Sequence, residues 1–283
     1  MSLTSALTVI EPNLTTTLKI WPFVYEHLAD PRTQDWLLVS SFKPILAWIS
    51  LYLLMAFYLP NFVKSYKPLK LQPVLIVYNL TMAFINFHIF KELIINARHL
   101  NYNYWCQPCR VLYSKHEIKL ASAVWWFFFS KLLEFSDTLF FILRHKWDQL
   151  TLLHIYHHST MFPLWWIAIK WVPTGSSFFP ALINSLIHVI MYTYYGLSAG
   201  GPVIQKYLWW KKYLTGIQLL QFTTGLLWAL QAIATQCDFP LWINCATIIY
   251  MITFLILFGR FYRQKYTTSK TSSLRLKKST KSM

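Results

Sequence analysis

The chain has 283 residues, of which 55% are hydrophobic and 18% aromatic, and its formal net charge is +16. Only 13% of its residues are charged, about half of the share that is usual in soluble domains. This composition excludes an ordinary soluble domain and predicts an all-α, polytopic membrane protein. Nucleic acid binding is also a poor fit, because no soluble module remains to carry it.

Seven apolar segments approach or exceed the roughly 20 residues that a membrane-spanning helix needs. They lie at residues 43–62, 71–95, 117–142, 150–171, 177–197, 208–234 and 241–262. We therefore expect an N-terminal segment at residues 1–42, a domain of seven transmembrane helices at residues 43–262, and a tail at residues 263–283.

Positive charge alternates between the links that join these segments. Lys64, Lys67 and Lys70 follow the first helix, and eight Lys or Arg with no Asp or Glu lie in the range 260–283. Residues 1–40 instead carry two basic and four acidic side chains. Because cytoplasmic loops carry the excess of Lys and Arg, this pattern predicts a lumenal N-terminus and a cytosolic C-terminal tail.

Two features fit this orientation. Asn13 lies in a glycosylation sequon on the predicted lumenal side. Cys106, Cys109 and Cys237 lie in predicted lumenal loops, where a disulfide can persist. A Cys106–Cys237 disulfide, a local Cys106–Cys109 pair and free thiols all remain open, because spacing does not fix connectivity.

Charged groups in the middle of a predicted span indicate either a functional site or polar contacts between helices. Glu134 and Asp137 are the two carboxylates in such a position. Lys131 lies one helical turn before Glu134, so the two can pair, and Thr138 returns to the same face. Asp137 lies off that face. A polar seam that holds helices together is the competing interpretation.

Residues 154–158 concentrate three imidazoles, and His154, His157 and His158 share one face of a helix. In the fifth predicted helix, Asn184 and His188 lie on a stripe that continues to Met191 and Tyr195. Gln218 and Gln221 of the sixth helix add amide groups. Imidazole can act as a nucleophile or a general base near neutral pH.

An iron-dependent membrane desaturase or hydroxylase is the alternative interpretation of the histidine cluster. Such enzymes gather about eight ligands from several histidine boxes, whereas the nine histidines of this chain include only one box, at residues 154–158. A single zinc ion held by the box and His188 has no Cys or acidic ligand at a suitable spacing. We therefore expect no bound metal.

Four segments form a linked set: residues 131–138 (KLLEFSDT), 154–158 (HIYHH), 184–195 (NSLIHVIMYTYY) and 215–222 (TGIQLLQF). In order and spacing they resemble the signatures of the very-long-chain fatty acid elongases, and the likeness covers about residues 20–265. The sequence around Met161, Trp165 and residues 208–213 resembles the branch that acts on very long and polyunsaturated chains.

The resemblance implies a 3-oxoacyl-CoA synthase, an acyltransferase that condenses a long-chain acyl-CoA with malonyl-CoA and releases carbon dioxide and CoA. It implies six helices in a barrel around a substrate tunnel, with a seventh helix outside, and no cofactor besides the two substrates. In the implied ping-pong mechanism His157 carries the acyl group as an acyl-imidazole, and His188 assists from a facing helix. His154 and His158 shape the site.

The resemblance and the residue pattern together give a set of candidate substrate-binding side chains: Lys131, Glu134, Asp137, Arg144, Asn184, Tyr192, Tyr194, Lys211, Gln218 and Gln221. Lys131, Arg144, Lys211 and tail bases such as Lys270 could hold the CoA phosphates. Pairing with Glu134 is the competing role for Lys131, and contact with lipid headgroups is the competing role for the tail. The family also implies the endoplasmic reticulum membrane and contact with membrane lipid and the other enzymes of the elongation cycle. The oligomeric state stays open, and a homodimer is one alternative.

Overall fold

The computed structural model describes residues 29–263, and within this range the fold is all-helical and contains no strand. Two 3-10 turns lie at Trp147–Gln149 and Gly175–Ser177. The helices are α1 (Lys43–Val63), α2 (Gln72–His99), α3 (Lys115–Leu133), α4 (Phe135–Leu143), α5 (Leu152–Trp171), α6 (Phe178–Ala199), α7 (Pro202–Gln205), α8 (Lys211–Ala234) and α9 (Leu241–Tyr262). Asn13 and the tail from residue 264 onward lie outside the described residues.

Five helices of the described range are long and apolar enough to cross a membrane: Lys43–Val63, Gln72–His99, Gly175–Ala199, Lys211–Ala234 and Leu241–Tyr262. Helix α3 falls short because it carries several charged side chains, and α5 because its imidazoles lower its mean hydropathy. The chain is therefore a multi-pass membrane protein, and the total of seven spans stays a prediction.

The third predicted helix, residues 117–142, is divided at Glu134 into α3 and α4. The amide of Asp137 donates to the carbonyl of Glu134, three residues back, at 3.1 Å. This spacing is that of a 3-10 turn, which commonly interrupts a helix where a side chain has a special role. The sequence pattern missed the interruption because a single tightened turn leaves the apolar periodicity almost unchanged.

Side-chain caps determine where two of the helices begin. The hydroxyl of Ser114 accepts from the amide of Glu117, and the hydroxyl of Thr151 accepts from the amide of His154, each at 3.2 Å. A cap of this kind stabilises a helix by about 1 kcal/mol. The cap at Thr151 places the first imidazole of the histidine box in the first turn of α5.

The helices pack in a connected series around the middle of the molecule. Helix α2 lies along both α3 and α6, α5 packs against α3, and α8 pairs with α9 and also contacts α6. Helix α5 meets α9 through side chains, including a 2.8 Å hydrogen bond between Thr160 and Tyr250. Helix α1 contacts α4 and α5.

The aromatic core lies between α3, α5 and α6. Phe128 stacks on Phe162 with ring centroids 5.1 Å apart, and Phe127 meets Trp165 edge-on at 4.4 Å. Phe127, Phe128 and Phe162 have no exposed surface. The same core includes Phe178 and Leu182 of α6. Full burial of a Phe side chain stabilises a fold by roughly 1.5–3 kcal/mol, so this cluster holds the three helices together.

One end of the bundle is formed by residues 100–114, 172–177 and 235–240, and we call it the disulfide end. There the guanidinium of Arg32 donates to Asp30 at 2.6 Å and to Thr174 at 3.0 Å, and lies 3.4 Å from Glu117. Burial opposes the charge of Arg32, but the hydrogen bond and charge of Asp30 outweigh burial and raise its pKa. The segment before α1 is thereby tied to α3 and to the link between α5 and α6.

Cys106 and Cys237 form a disulfide across this end, so the long-range pair among the open alternatives is the one in the structure. It joins the link between α2 and α3 to the turn between α8 and α9 across 131 residues of sequence. Cys109 is a free thiol whose Sγ lies 3.6 Å from the hydroxyl of Thr174. Burial raises the pKa of this thiol, so it is poorly reactive.

Replacing Cys237 with Ser should lower the free energy of unfolding by roughly 2–4 kcal/mol, because the long loop is no longer closed in the unfolded chain. The measurement is thermal unfolding of the purified protein in detergent. Cys245→Ser is the matched control, since Cys245 is a free and exposed thiol of α9. Equal melting temperatures for the two variants would contradict the structural role of the disulfide.

Candidate functional site

A cavity of about 460 Å³ opens toward the end of the bundle opposite the disulfide, which we call the Arg144 end. Its walls come from α2, α4, α5, α6, α7, α8 and α9 and from the 144–151 link. Nearly all the candidate residues from the sequence line it: Glu134, Asp137, Arg144, His154, His157, His158, Asn184, His188, Tyr192, Tyr194, Lys211, Gln218 and Gln221. Lys131 is the candidate that the cavity wall does not include.

The three imidazoles of the histidine box lie side by side on the cavity face of α5. The ring centroids of His154 and His158 are 4.3 Å apart, and those of His157 and His158 are 5.2 Å apart. The ring of His157 also meets Phe254 of α9 edge-on at 5.3 Å. The helical spacing of the box therefore gathers its side chains at one wall of the cavity.

His157 has an unusual hydrogen-bonding state. Its Nδ1 atom is buried and has no hydrogen-bond partner among the described residues. Buried polar atoms nearly always have a partner, and an exception often marks a reactive group. No described side chain therefore holds this ring by its Nδ1 atom.

Lys131, just outside the cavity, belongs to a buried charged cluster behind its wall. Its Nζ donates to the carboxylate of Glu134 at 2.7 Å and to Oδ1 of Asn184 at 3.3 Å. The same Glu134 oxygen lies 3.1 Å from Nδ1 of His188. Lys131 and Glu134 are each only 1% exposed, so the pair has no water to balance its charges.

The cluster determines the orientation of His188. Nδ1 of His188 lies 3.1 Å from the Glu134 carboxylate, which can only accept, and 3.5 Å from Nζ of Lys131, which can only donate. The shorter contact is the one with Glu134, and it favours a proton on Nδ1. The other ring nitrogen, Nε2, is then left with a lone pair. A carboxylate that holds one nitrogen of an imidazole in this way prepares the other nitrogen to act as a base.

Further polar contacts surround the imidazoles. The hydroxyl of Tyr192 donates to Asp137 at 2.7 Å, and the amide of Gln218 lies 3.6 Å from the sulfur of Met191. Tyr194 packs against Trp210. Asp137 therefore has its own partner on α6, which agrees with its predicted position off the face that Lys131 and Glu134 share.

Charge at the mouth of the cavity is mostly positive. Arg144, Lys146 and Lys211 line the cavity there, with Asp148 as the acidic side chain among them. Lys146 was not among the candidate residues from the sequence. Its place beside Arg144 in the same link was the signal that could have identified it.

One other side chain at the site, Tyr52 of α1, was not singled out from the sequence. Its phenol oxygen lies 3.1 Å from the hydroxyl of Thr138, and Thr138 lies 2.7 Å from Nε2 of His154. A tyrosine in an apolar helix gives no sequence signal for such a contact, because its partner is 86 residues away.

Among residues 29–263, no three His, Cys, Asp or Glu side chains converge in a way that could hold a metal ion. The box rings lie against each other and against Phe254 and Phe141. The expectation of chemistry without a metal stays a prediction.

Comparison with known proteins places this arrangement in a family. Residues 37–274 match the GNS1/SUR4 (ELO) family. Very long chain fatty acid elongase 4 of Homo sapiens is 45% identical over 266 residues, which cover 94% of this chain and 84% of that protein. The elongase 4 of Mus musculus is 47% identical over 245 residues, covering 87% and 78%.

Very long chain fatty acid elongase 5 of Tachysurus fulvidraco is 42% identical over 244 residues, which cover 86% of this chain and 82% of that protein. These matches extend over nearly all of the helical region and include all four segments that carried the resemblance. The resemblance is confirmed: the chain belongs to the GNS1/SUR4 (ELO) family.

Proposed function

We propose that the chain condenses a long-chain acyl-CoA with malonyl-CoA to give 3-oxoacyl-CoA, carbon dioxide and CoA, through an acyl-imidazole on His157. The observation that carries this proposal is that His157 and His188, from different helices, line one cavity and that Glu134 orients His188. Two imidazoles with different partners can take different roles in one reaction.

The chain is an enzyme of fatty acid elongation, a 3-oxoacyl-CoA synthase, as its family and its elongase relatives indicate. The iron-dependent desaturase or hydroxylase is not favoured, because these matches are elongases over most of the chain. A reaction that needs no cofactor besides the two CoA substrates is part of this proposal.

The proposed enclosure is a barrel of α2, the α3–α4 pair, α5, α6, α8 and α9, with α1 outside. The pairwise packing of these helices and the cavity between them support it. An apolar enclosure would protect both an acyl-imidazole and an enolate from water. Splitting the condensation into two steps through a covalent intermediate lowers the barrier of each step.

In the proposed first step, a ring nitrogen of His157 attacks the carbonyl carbon of the acyl thioester. The carbon–sulfur bond breaks, and His188 takes the proton that His157 loses and passes it to the CoA sulfur. The carboxylate of Glu134 lies 3.1 Å from His188 and stabilises the imidazolium that forms between these two transfers.

Between the two steps, neutral His188 takes up one proton from water. In the proposed second step, malonyl-CoA loses carbon dioxide and leaves an enolate, whose oxygen is stabilised by protonated His188. The enolate carbon attacks the acyl carbon, the bond to His157 breaks, and His188 returns its proton to His157. The proton taken up from water is the one consumed for each carbon dioxide released, so the charges balance.

We also propose positions for the substrates and the membrane. Arg144, Lys146 and Lys211 lie at the mouth, where the phosphates of CoA would meet positive charge. Asn184, Gln218 and Gln221 would hydrogen-bond the substrate within the cavity. The endoplasmic reticulum membrane, a lumenal N-terminus, a cytosolic tail, a homodimer and contact with the other elongation enzymes stay predictions.

Incubation of the purified chain with acyl-CoA alone should give an acyl adduct on His157, because the first step needs no malonyl-CoA. Mass spectrometry of the digested protein locates the adduct, and hydroxylamine should remove it. His157→Ala should abolish the adduct and lower condensation by roughly 1000-fold or more.

The control is His99→Ala, which removes an exposed imidazole near the disulfide end. This variant should keep both the adduct and the activity. Full condensation by a correctly folded His157→Ala variant would end the proposal.

Glu134→Gln should lower condensation by roughly 100- to 10,000-fold, because His188 loses the carboxylate that orients it. It should also destabilise the protein by about 3–5 kcal/mol, since Lys131 stays buried without a counter-ion. Condensation assays and thermal unfolding measure the two effects separately.

The double variant Lys131→Met with Glu134→Gln tells the two effects apart. It removes both charges, so stability should largely return while activity stays low. Glu92→Gln is the matched control, because Glu92 pairs with Lys91 in a partly exposed position and should lose less than about 1 kcal/mol. Recovery of full activity in the double variant would contradict the role of Glu134 at His188.

A further inference from the structure

Helix α1 contacts α4 and α5, yet one of its side chains reaches the histidine box through a single intervening residue. Tyr52 is 1% exposed, and its ring packs on Phe135 with the centroids 4.4 Å apart. The same ring lies 6.3 Å from His158. Packing on both sides therefore fixes where the phenol oxygen of Tyr52 lies.

Thr138 links Tyr52 to His154. The hydroxyl of Thr138 donates to the phenol oxygen of Tyr52 at 3.1 Å, and its oxygen lies 2.7 Å from Nε2 of His154. A hydroxyl has one proton to donate. Because that proton points toward Tyr52, the short contact with His154 requires the imidazole to supply the other proton.

We propose that Tyr52 and Thr138 are positioning residues that hold His154 in the tautomer with its proton on Nε2. The Nε2 atom of His154, which faces Thr138, is then a hydrogen-bond donor and cannot attack an acyl group. His154 in turn lies against His158, which lies against His157. The chain of contacts from α1 thus fixes the row of rings in which His157 is the proposed nucleophile.

This inference rests on the proposed function, since it assigns the acyl group to His157 rather than to His154. It also gives α1 a part in catalysis although α1 adds no side chain to the cavity wall. Thr138 has no exposed surface, so water cannot replace it as the acceptor for His154. Loss of its hydroxyl leaves a buried N–H without a partner, which is costly.

The test compares Thr138→Val, Thr138→Ser and Tyr52→Phe in the purified full chain. The readouts are CoA release from acyl-CoA before malonyl-CoA is added, and kcat and KM for the complete reaction. Thr138→Val should slow CoA release roughly tenfold with little change in KM, because it removes the acceptor without touching the substrate. Thr138→Ser should restore most of the rate, and Tyr52→Phe should slow it several-fold.

Tyr250→Phe is the matched control. Like Tyr52→Phe, it removes a hydrogen bond between a tyrosine and a threonine, here the 2.8 Å contact of Tyr250 with Thr160 of α5. This bond involves no imidazole. It should lower the melting temperature without slowing CoA release. The inference is overturned if Thr138→Val keeps the wild-type rate, if Thr138→Ser is as slow as Thr138→Val, or if Tyr250→Phe slows the reaction equally.

Nitrogen-15 NMR of histidine-labelled protein separates this inference from the proposed function. The signal that disappears in His154→Gln belongs to His154, and in the wild type it should report a proton on Nε2. Thr138→Val should change it toward a mixture of tautomers. A signal from the Nδ1–H tautomer in the wild type overturns the inference whatever the activity.

A wild type that condenses without early CoA release contradicts the covalent step, and the kcat of Thr138→Val then tests the positioning role.

Discussion

The side chain of Glu134 is only 1% exposed, so protein groups must balance most of the charge of its carboxylate. Lys131 and His188 approach the same carboxylate oxygen, at 2.7 Å and 3.1 Å. Breaking such a buried pair costs several kcal/mol, about 3–5 in typical cases. Glu134 therefore both pairs with Lys131 inside the helix bundle and orients the imidazole of His188. The two interpretations of the sequence, polar contacts between helices and a functional site, do not exclude each other.

The position of Glu134 connects this charge to the cavity. It lies at the tightened turn between α3 and α4, with Lys131 one turn before it and Asp137 one turn after. Lys131 faces the interior behind the wall, whereas Asp137 faces Tyr192 of α6. One interrupted helix thus supplies the charged cluster, a cavity carboxylate and, at Thr138, the contact to His154.

The sequence predicted the contributors to the site better than their arrangement. Helical spacing was enough to place His154, His157 and His158 on one wall, because their positions depend only on a single helix. The pairing of Arg32 with Glu117, 85 residues apart, and of Tyr52 with Thr138 depends on how distant helices pack, which one sequence does not reveal. Likewise, spacing left the partner of Cys106 open, and the fold selected Cys237. The two predicted spans with a weaker membrane signal, α3 and α5, carry Lys131 and the histidine box. These side chains contribute to the weakness, and the charged first turns of α3 add to it.

The proposed mechanism requires that an imidazole of this chain carry the acyl group between the two substrates. Exchange of labelled free CoA into acyl-CoA, with malonyl-CoA absent, tests this requirement, because only a covalent acyl-enzyme lets the two forms of CoA exchange. We expect exchange at a rate at least equal to that of the complete reaction. Condensation at full rate with no exchange would rule out the acyl-imidazole.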